Sequence, residues 1–196
     1  MQPIFTMQYG EFKVSDFLAK NIRNSSVFIP ASAQEKGIDL LLYRNSNGKN
    51  KVVTIQVKMS RTYYDHNNGF DNHLWFNRFA VQPNADWYIL MGIYARHPKK
   101  DQAANSKVSD TGWDHIMLAF TNTEMKYFMD SVRQKKNPDN PDSMFGFSFN
   151  EEQSEIRQTR GYHSPREMSE YLIRYRIKDI EASFDRYDEK NINEEK

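Results

Sequence analysis

Apolar and polar positions alternate most regularly in residues 36–60, where two apolar runs flank an Asn-Gly pair. The runs cover residues 38–43 and 52–59, and Asn47-Gly48 lies between them. An Asn-Gly pair between two such runs is the strongest short-range signal for a tight β-hairpin turn. The pattern therefore predicts a two-stranded antiparallel hairpin at this point in the chain.

The second strand of this hairpin has one apolar and one polar face, because successive side chains in a strand point to opposite sides. Its apolar face consists of Val53, Ile55, Val57 and Met59, and its polar face of Thr54, Gln56 and Lys58. Asp39 opens the first strand inside an otherwise apolar run. Buried polar groups need partners, so the cluster indicates either a functional site or a salt bridge between Asp39 and Lys58.

A helix is predicted before the hairpin, over residues 7–23. Five side chains form its apolar stripe at helical spacing: Phe12, Val14, Phe17, Leu18 and Ile22. Glu11 lies on the same stripe, three residues before Val14. Two explanations stay open for Glu11. It is either a carboxylate in the first helical turn, where it favours the helix dipole, or a functional carboxylate turned toward the sheet.

Further strands are predicted at residues 27–29, 86–94, 115–120 and 145–149. The run at 86–94 is almost wholly apolar, which is typical of a central strand covered on both faces. Residues 74–79 (LWFNRF) fit either a strand or a short helical stretch. Polar loops are predicted at residues 61–72, 95–111 and 134–143.

Two capping boxes predict where later helices begin. The first joins Thr121 to Glu124 before a helix at residues 124–133. The second spans residues 164–167 (SPRE), has proline at the first helical position, and precedes a helix that ends near Phe184. The inward-facing side chains of this last helix are predicted to be Met168, Tyr171, Leu172 and Tyr175. The order of elements predicts an α/β fold in which helices flank a central mixed β-sheet.

The size of the chain suits one domain, which we assign to residues 1–187, followed by a charged tail at 188–196. Hydrophobic residues make up 38% of the 196 residues, enough for a core, although the mean hydropathy of -0.84 indicates a very polar surface. The net charge of +1 excludes a global basic field and leaves a local basic patch open. The absence of cysteine excludes disulfides and cysteine-based zinc sites. With no signal-peptide pattern and no apolar stretch of about 18 residues, we expect a cytoplasmic protein without a membrane span.

The polar residues of the hairpin have a chemistry in common with metal sites. Gln56 and Lys58 share one face of a strand, and Asp39 is expected near the matching end of the paired strand. Aspartate and amide oxygens suit a hard divalent ion such as Mg²⁺, with Mn²⁺ as the second candidate. A lysine beside the ion can stabilise an attacking hydroxide or the charge that develops on a phosphate. Glu11, carried over the sheet by the first helix, would complete the site.

This combination resembles the restriction-endonuclease-like superfamily, the PD-(D/E)xK nucleases. Glu11 in a first helix, Gly37-Ile38-Asp39 opening a strand, and Gln56-Val57-Lys58 on the next strand carry the resemblance, which covers residues 8–94. The Gln-x-Lys form is similar to the Mrr-type branch. The resemblance implies a restriction-endonuclease-like core.

The resemblance also implies a role for each residue. Asp39 is the main metal ligand, and Gln56 is a second ligand where many members carry a carboxylate. Lys58 is the catalytic lysine, and Glu11 is a helix carboxylate that assists the metal. Ser60 lies two residues after Lys58 and could line the site. The implied protein is a Mg²⁺-dependent endonuclease, a hydrolase that cuts phosphodiester bonds in DNA.

Other interpretations stay open beside this one. A catalytically inactive nuclease-like scaffold that binds DNA or a protein partner has the same sequence features. A homodimer also stays open, because many proteins that cut both strands work as dimers. No segment of the sequence identifies a dimer face. Aromatic residues after the hairpin either stack on bases or pack in the core: Tyr63, Tyr64, Phe70, Trp75 and Phe76.

The histidines and the loop cations are expected at the surface. None of the histidines has the close two-ligand spacing of a helical metal site: His66, His73, His97, His115 and His163. Several cations in loops or at helix ends could contact phosphates, but solvation is the default for them: Lys99, Lys100, Arg133, Lys135 and Lys136.

Overall fold

Mixed α/β architecture is present in the computed structural model, as the sequence predicts. The structure describes residues 4–30, 36–46, 48–64, 70, 72–95, 112–132, 144–160 and 166–185. Its helices are α1 (Ile4–Asn21), α2 (Asn122–Ser131) and α3 (Ile173–Ser183), with a 3-10 turn at Ser169–Tyr171. Its strands are β1 (Ser26–Phe28), β2 (Leu40–Ser46), β3 (Lys49–Tyr64), β4 (Asn72–Asn77), β5 (Trp87–Ala95), β6 (Trp113–Thr121), β7 (Met144–Phe149), β8 (Ile156–Arg160) and β9 (Arg166–Glu167). None of the helices in these ranges is long and apolar enough to cross a membrane.

The described strands form one sheet with two segments that share the long strand β3. The first sheet segment has the order β1-β2-β3-β5-β6, and the second has the order β3-β4-β7-β8-β9. All neighbouring strands are antiparallel except β3 and β5, which run parallel from Ile55 opposite Trp87 to Arg61 opposite Ile93. The hairpin of β2 and β3 pairs Leu40 with Ile55 and Ser46 with Lys49, as its alternation predicts. Gly48 has a φ of +75°, the backbone conformation that a tight turn requires.

Two apolar clusters hold the helices against the sheet. Helices α1 and α3 cover one face of the first sheet segment, where Leu18 and Ile180 pack with Ile55 and Ile89. The opposite face is covered by α2 and by the second sheet segment, through residues such as Phe147. Burying each large aliphatic or aromatic side chain stabilises the fold by about 1.5–3 kcal/mol.

Strand β5 contributes to both clusters, which confirms the predicted central strand. Trp87, Ile89 and Met91 belong to the cluster under α1 and α3. Tyr88 and Leu90 belong to the cluster on the other side. All five are almost completely buried, so each face of the strand is covered.

One predicted capping box is confirmed and the other is wrong. Thr121 Oγ1 accepts from the Glu124 N–H at 3.2 Å, and Glu124 Oε2 accepts from the Thr121 N–H at 2.7 Å. The second box fails because Arg166 and Glu167 pair with β8 as strand β9, and the helix begins only at Ile173. Glu167 accepts instead from the N–H of Ser169 at 2.9 Å, at the start of the 3-10 turn. Residues 164 and 165 lie outside the described residues.

The structure corrects several other expectations. Strand β3 continues to Tyr64, so residues 61–64 are not a loop, and the ambiguous LWFNRF segment supplies most of β4. Strand β8 has no clear sequence signal. Tyr175 is 62% exposed, whereas Met168, Tyr171 and Leu172 are buried as predicted.

Of the histidines expected at the surface, His73 is buried, and its Nδ1 lies 2.6 Å from Ser148 Oγ. The other predictions that the structure leaves undescribed concern Asn47, the loops at 96–111 and 134–143, and the tail at 188–196. His66, His97 and His163 also lie outside the described residues, as do all five of the cations expected in loops or at helix ends.

Candidate functional site

Asp39 is held where the ladder between β2 and β3 ends. Its N–H donates to the Ile55 carbonyl oxygen at 2.9 Å. Its Oδ2 accepts from the Val57 N–H at 2.7 Å, so the side chain takes the position that a further strand residue would fill. Among the described residues, no hydrogen bond is made by the other carboxylate oxygen. That oxygen can therefore bind a ligand while the first one fixes the side chain.

A glycine turn brings the chain to Asp39. Gly37 has a φ of +94°, and a Cβ there would lie 2.5 Å from Gln82 Cβ. Asn84 Nδ2 donates to the Lys36 carbonyl oxygen at 2.9 Å. The turn is thus pressed against the segment before β5, and a side chain at position 37 would push it away.

Helix α1 carries Glu11 to the same end of the hairpin. The helix lies so close to β3 that a Cβ on Gly10 would be 3.0 Å from Met59 Sδ. Most of the predicted apolar stripe faces the sheet: Val14, Leu18 and Ile22 are fully buried or nearly so, and Phe17 is half-buried. Phe12 is 62% exposed, so its assignment to the buried stripe is wrong. Because α1 already begins at Ile4, Glu11 is not in its first turn, and the helix-dipole explanation is wrong.

Glu11, Asp39 and Lys58 line one cavity with a volume of about 430 Å³. Ser60 lies in its wall, and its Oγ donates to the Trp75 carbonyl oxygen at 2.9 Å. The rest of the wall includes aromatic and cationic side chains from β3, β4 and the following segment: Tyr63, Trp75, Phe76, Arg78 and Phe79. The wall of the cavity therefore combines charged and aromatic side chains.

The surroundings of the two carboxyl groups in the cavity disfavour their ionisation. Burial raises the pKa of Glu11, the charge of Asp39 raises it further, and Lys58 opposes both. Burial also raises the pKa of Asp39, while the Val57 N–H and Lys58 lower it. Partly desolvated carboxylates that repel each other favour a cation between them.

Lys58 does not neutralise these carboxylates by direct contact. Among the described residues it forms no ion pair with either one, and its Nζ lies 5.8 Å from the centroid of the Phe79 ring. The simple salt bridge between Asp39 and Lys58 is therefore absent. The lysine keeps its ammonium group available to a ligand in the cavity.

Gln56 is close to this group but lies in an adjoining depression. It is 6% exposed, and its buried Oε1 has no hydrogen-bond partner among the residues that the structure describes. The depression is also lined by Asp39 and Lys58, but Glu11 lines only the main cavity. A buried amide oxygen without a partner is costly, so the position favours a bound water or ion.

The donors fit a hard divalent cation that keeps part of its water shell. Glu11 and Asp39 supply carboxylate oxygens and Gln56 an amide oxygen, the ligand types that Mg²⁺ binds. Within the described ranges, no group of three or more histidine, cysteine, aspartate or glutamate residues could hold a metal ion. With only two carboxylates we expect weaker binding than at a site with three.

The sequence patterns do not predict every residue of the cavity wall, and Arg78 and Phe79 are examples. Arg78 and Phe79 follow β4 and carry no pattern of their own, since only the tertiary fold brings them to β3. Tyr63 and Trp75 were recognised as aromatic residues after the hairpin, and the structure places both at the cavity.

Comparison with known proteins does not extend this description. No protein-family model matches the chain, and no curated protein or solved structure matches it significantly.

Proposed function

We propose that this protein is a Mg²⁺-dependent endonuclease that hydrolyses phosphodiester bonds in DNA, with Mn²⁺ as the second candidate ion. One observation carries the proposal: Glu11, Asp39 and Lys58 line a single cavity at the end of the hairpin. Beside it, Gln56 adds a buried amide oxygen that no described residue hydrogen-bonds. We propose that the hairpin and α1 form a restriction-endonuclease-like core around these residues.

Each side chain has a defined task in this proposal. Asp39 would hold the ion with the carboxylate oxygen that does not accept from the Val57 N–H, and Glu11 and Gln56 would complete or orient its ligands. Lys58 binds the scissile phosphate or the attacking hydroxide and stabilises the negative charge that develops. A bound divalent ion would supply Lewis-acid chemistry and a water of lowered pKa.

Substitution of the lysine and the aspartate tests the mechanism. Lys58→Ala and Asp39→Ala should each reduce Mg²⁺-dependent cleavage of plasmid DNA by about 100-fold or more, because each removes transition-state stabilisation. Lys178→Ala, at an exposed lysine on α3, is the matched control and should cut like the wild type. Circular dichroism checks that all variants are folded. Unchanged cleavage in both site variants would overturn the mechanism.

The second candidate function is a catalytically inactive scaffold that binds DNA or a protein partner. The neutral Gln56 and the presence of only two carboxylates favour it, because both lower metal affinity. Calorimetric titration with Mn²⁺ and Mg²⁺ separates the candidates. DNA binding without binding of either ion would favour the scaffold, whereas metal binding that Asp39→Ala abolishes would favour the nuclease.

A further inference from the structure

Two aromatic rings and two arginines form a continuous strip across the second sheet segment. The rings of Tyr63 on β3 and Trp75 on β4 are stacked, with centroids 4.9 Å apart and an interplanar angle of 22°. Arg61 Cζ lies 5.2 Å from the Tyr63 centroid, and Arg160 Cζ lies 4.4 Å from the Trp75 ring. We call these four residues the aromatic strip. None of the predicted roles at the cavity uses them.

The backbone opposite Trp75 leaves space for this arrangement. Gly146 on β7 pairs with Trp75, and a Cβ there would lie 2.5 Å from Trp75 Cδ1. Gly146 also pairs with Arg160 on β8, so the indole and the guanidinium meet above a residue without a side chain. The geometry therefore orients the indole across the sheet, where a larger residue would displace it.

The aromatic strip joins the proposed catalytic cavity. Tyr63 and Trp75 line the cavity that contains Glu11, Asp39 and Lys58, and Arg78 stands in the same wall. Tyr63 is 41% exposed and Arg61 is also exposed, so the end of the strip on β3 reaches solvent. The exposed part of the Tyr63 ring and the Arg61 guanidinium over it can stack on a base, and the arginines can contact phosphates.

We propose that the aromatic strip binds an unpaired DNA strand and leads it to the cavity, so that the substrate is single-stranded or locally opened DNA. This inference rests on the proposed function for what happens to the strand after binding. A ring can stack only on an accessible base face, and bases within a duplex already cover each other's faces. Arg61 and Arg78 complement the phosphates on either side of such a base.

Binding without divalent ions tests the strip separately from catalysis. Fluorescence anisotropy in EDTA compares a labelled single-stranded oligonucleotide with the duplex of the same sequence at one salt concentration. The single strand should bind more tightly. Tyr63→Ala should weaken its binding by roughly 5- to 150-fold, the range that stacking contributes per base. Tyr63→Phe, which keeps the ring, should bind like the wild type.

A matched control shows whether DNA binding depends on the aromatic strip or on any exposed tyrosine that has an arginine over its ring. Tyr175 on α3 is 62% exposed, and Arg174 Cζ lies 5.0 Å from its ring centroid. Tyr175→Ala should leave binding unchanged. Trp75→Ala gives a second reading of the strip, and a melting curve shows whether the variant is folded.

The outcomes distinguish this inference from the proposed function. Binding of the duplex as tight as that of the single strand would overturn the inference, as would unaltered single-strand binding by folded Tyr63→Ala and Trp75→Ala. Absence of detectable binding to either DNA form would also overturn it. Duplex cleavage that is lost in Lys58→Ala but kept in Tyr63→Ala would leave the nuclease standing without the strip. Selective single-strand binding without any cleavage would support the strip and contradict the nuclease.

Discussion

Glu11 and Asp39 would bind a cation as ionised carboxylates, but in their ionised form they lower the stability of the fold. Burial and mutual repulsion raise the pKa of Glu11, and burial raises that of Asp39. Above the raised pKa, a carboxyl group is ionised in both the folded and the unfolded chain, and the folded state carries the full cost. Below the pKa of the unfolded chain the group is protonated in both states, and the cost disappears. The ionised carboxylates of Glu11 and Asp39 therefore destabilise the fold at neutral pH.

Neutralising Glu11 should stabilise the metal-free protein. Glu11→Gln should raise the free energy of unfolding at about pH 7.5 by a few tenths to about 1 kcal/mol, because the carboxylate is partly solvated. The gain should shrink as the pH falls through the raised pKa of Glu11 and vanish by about pH 4. Urea denaturation in EDTA at both pH values measures it, with Glu152→Gln at an exposed turn as the control. A loss of stability at the higher pH would mean that the charged form is favoured in the fold.

At the scale of elements, the site depends on how the hairpin begins. The Gly37 turn and the end of the β2–β3 ladder set the position of Asp39, and the close packing of α1 on Met59 sets that of Glu11. The two glycines of the hairpin region differ in a useful way. Gly37 and Gly48 both have positive φ values, but only Gly37 has neighbours where a Cβ would stand.

Alanine at these two glycines should therefore have unequal effects. Gly48→Ala carries only the backbone cost of a left-handed residue, about 1–2 kcal/mol. Gly37→Ala adds overlap with Gln82 Cβ and Asn84 Oδ1, and should cost at least about 1 kcal/mol more. Chemical denaturation of both variants measures the difference in unfolding free energy. Equal losses would show that the segment before β5 moves aside without cost.

At the scale of the whole molecule, β3 joins what would otherwise be two sheets. Its first residues, up to Ile55, pair with β2, its residues from Ile55 to Arg61 pair with β5, and its last three residues pair with β4. The second sheet segment also covers the face of the first that α1 and α3 leave open. Neither segment can bury its apolar residues alone, so we expect them to fold together, as the single domain at residues 1–187 predicts.

Unfolding should accordingly be one cooperative transition. Trp87 lies in the first sheet segment and Trp75 in the second, so two single-tryptophan variants that retain one or the other report on each part separately. In each variant, the denaturant midpoint from fluorescence should coincide with that from far-UV circular dichroism. The two midpoints should also agree after correction for the stability of each variant. Separate transitions would instead divide the chain into two folding units.

Short-range patterns predicted the parts of the fold whose partners are near in sequence. The hairpin, the central strand and the Thr121–Glu124 capping box are confirmed, and so is the apolar stripe of α1 except at Phe12. Each depends on periodicity or on contacts within a few residues, which the chain carries locally. The same patterns put Gln56 and Lys58 on one strand face and singled out Glu11, while the roles of these residues stay predictions.

Strand pairing between distant segments decided the features that the sequence left open or predicted wrongly. The predicted capping box at 164–167 does not form because Arg166 and Glu167 pair with β8. Strand β3 continues to Tyr64 because β4 pairs with its last residues. The cavity wall and the aromatic strip likewise consist of residues that are distant in the chain. The burial of Gln56 also depends on such residues. By itself the sequence determined most of the elements that form and the residue types that could carry chemistry, since both follow from local patterns. Only the tertiary structure decided which of them are in contact. Strands form hydrogen bonds, and side chains pack, with residues that are distant in the chain and that no local pattern identifies.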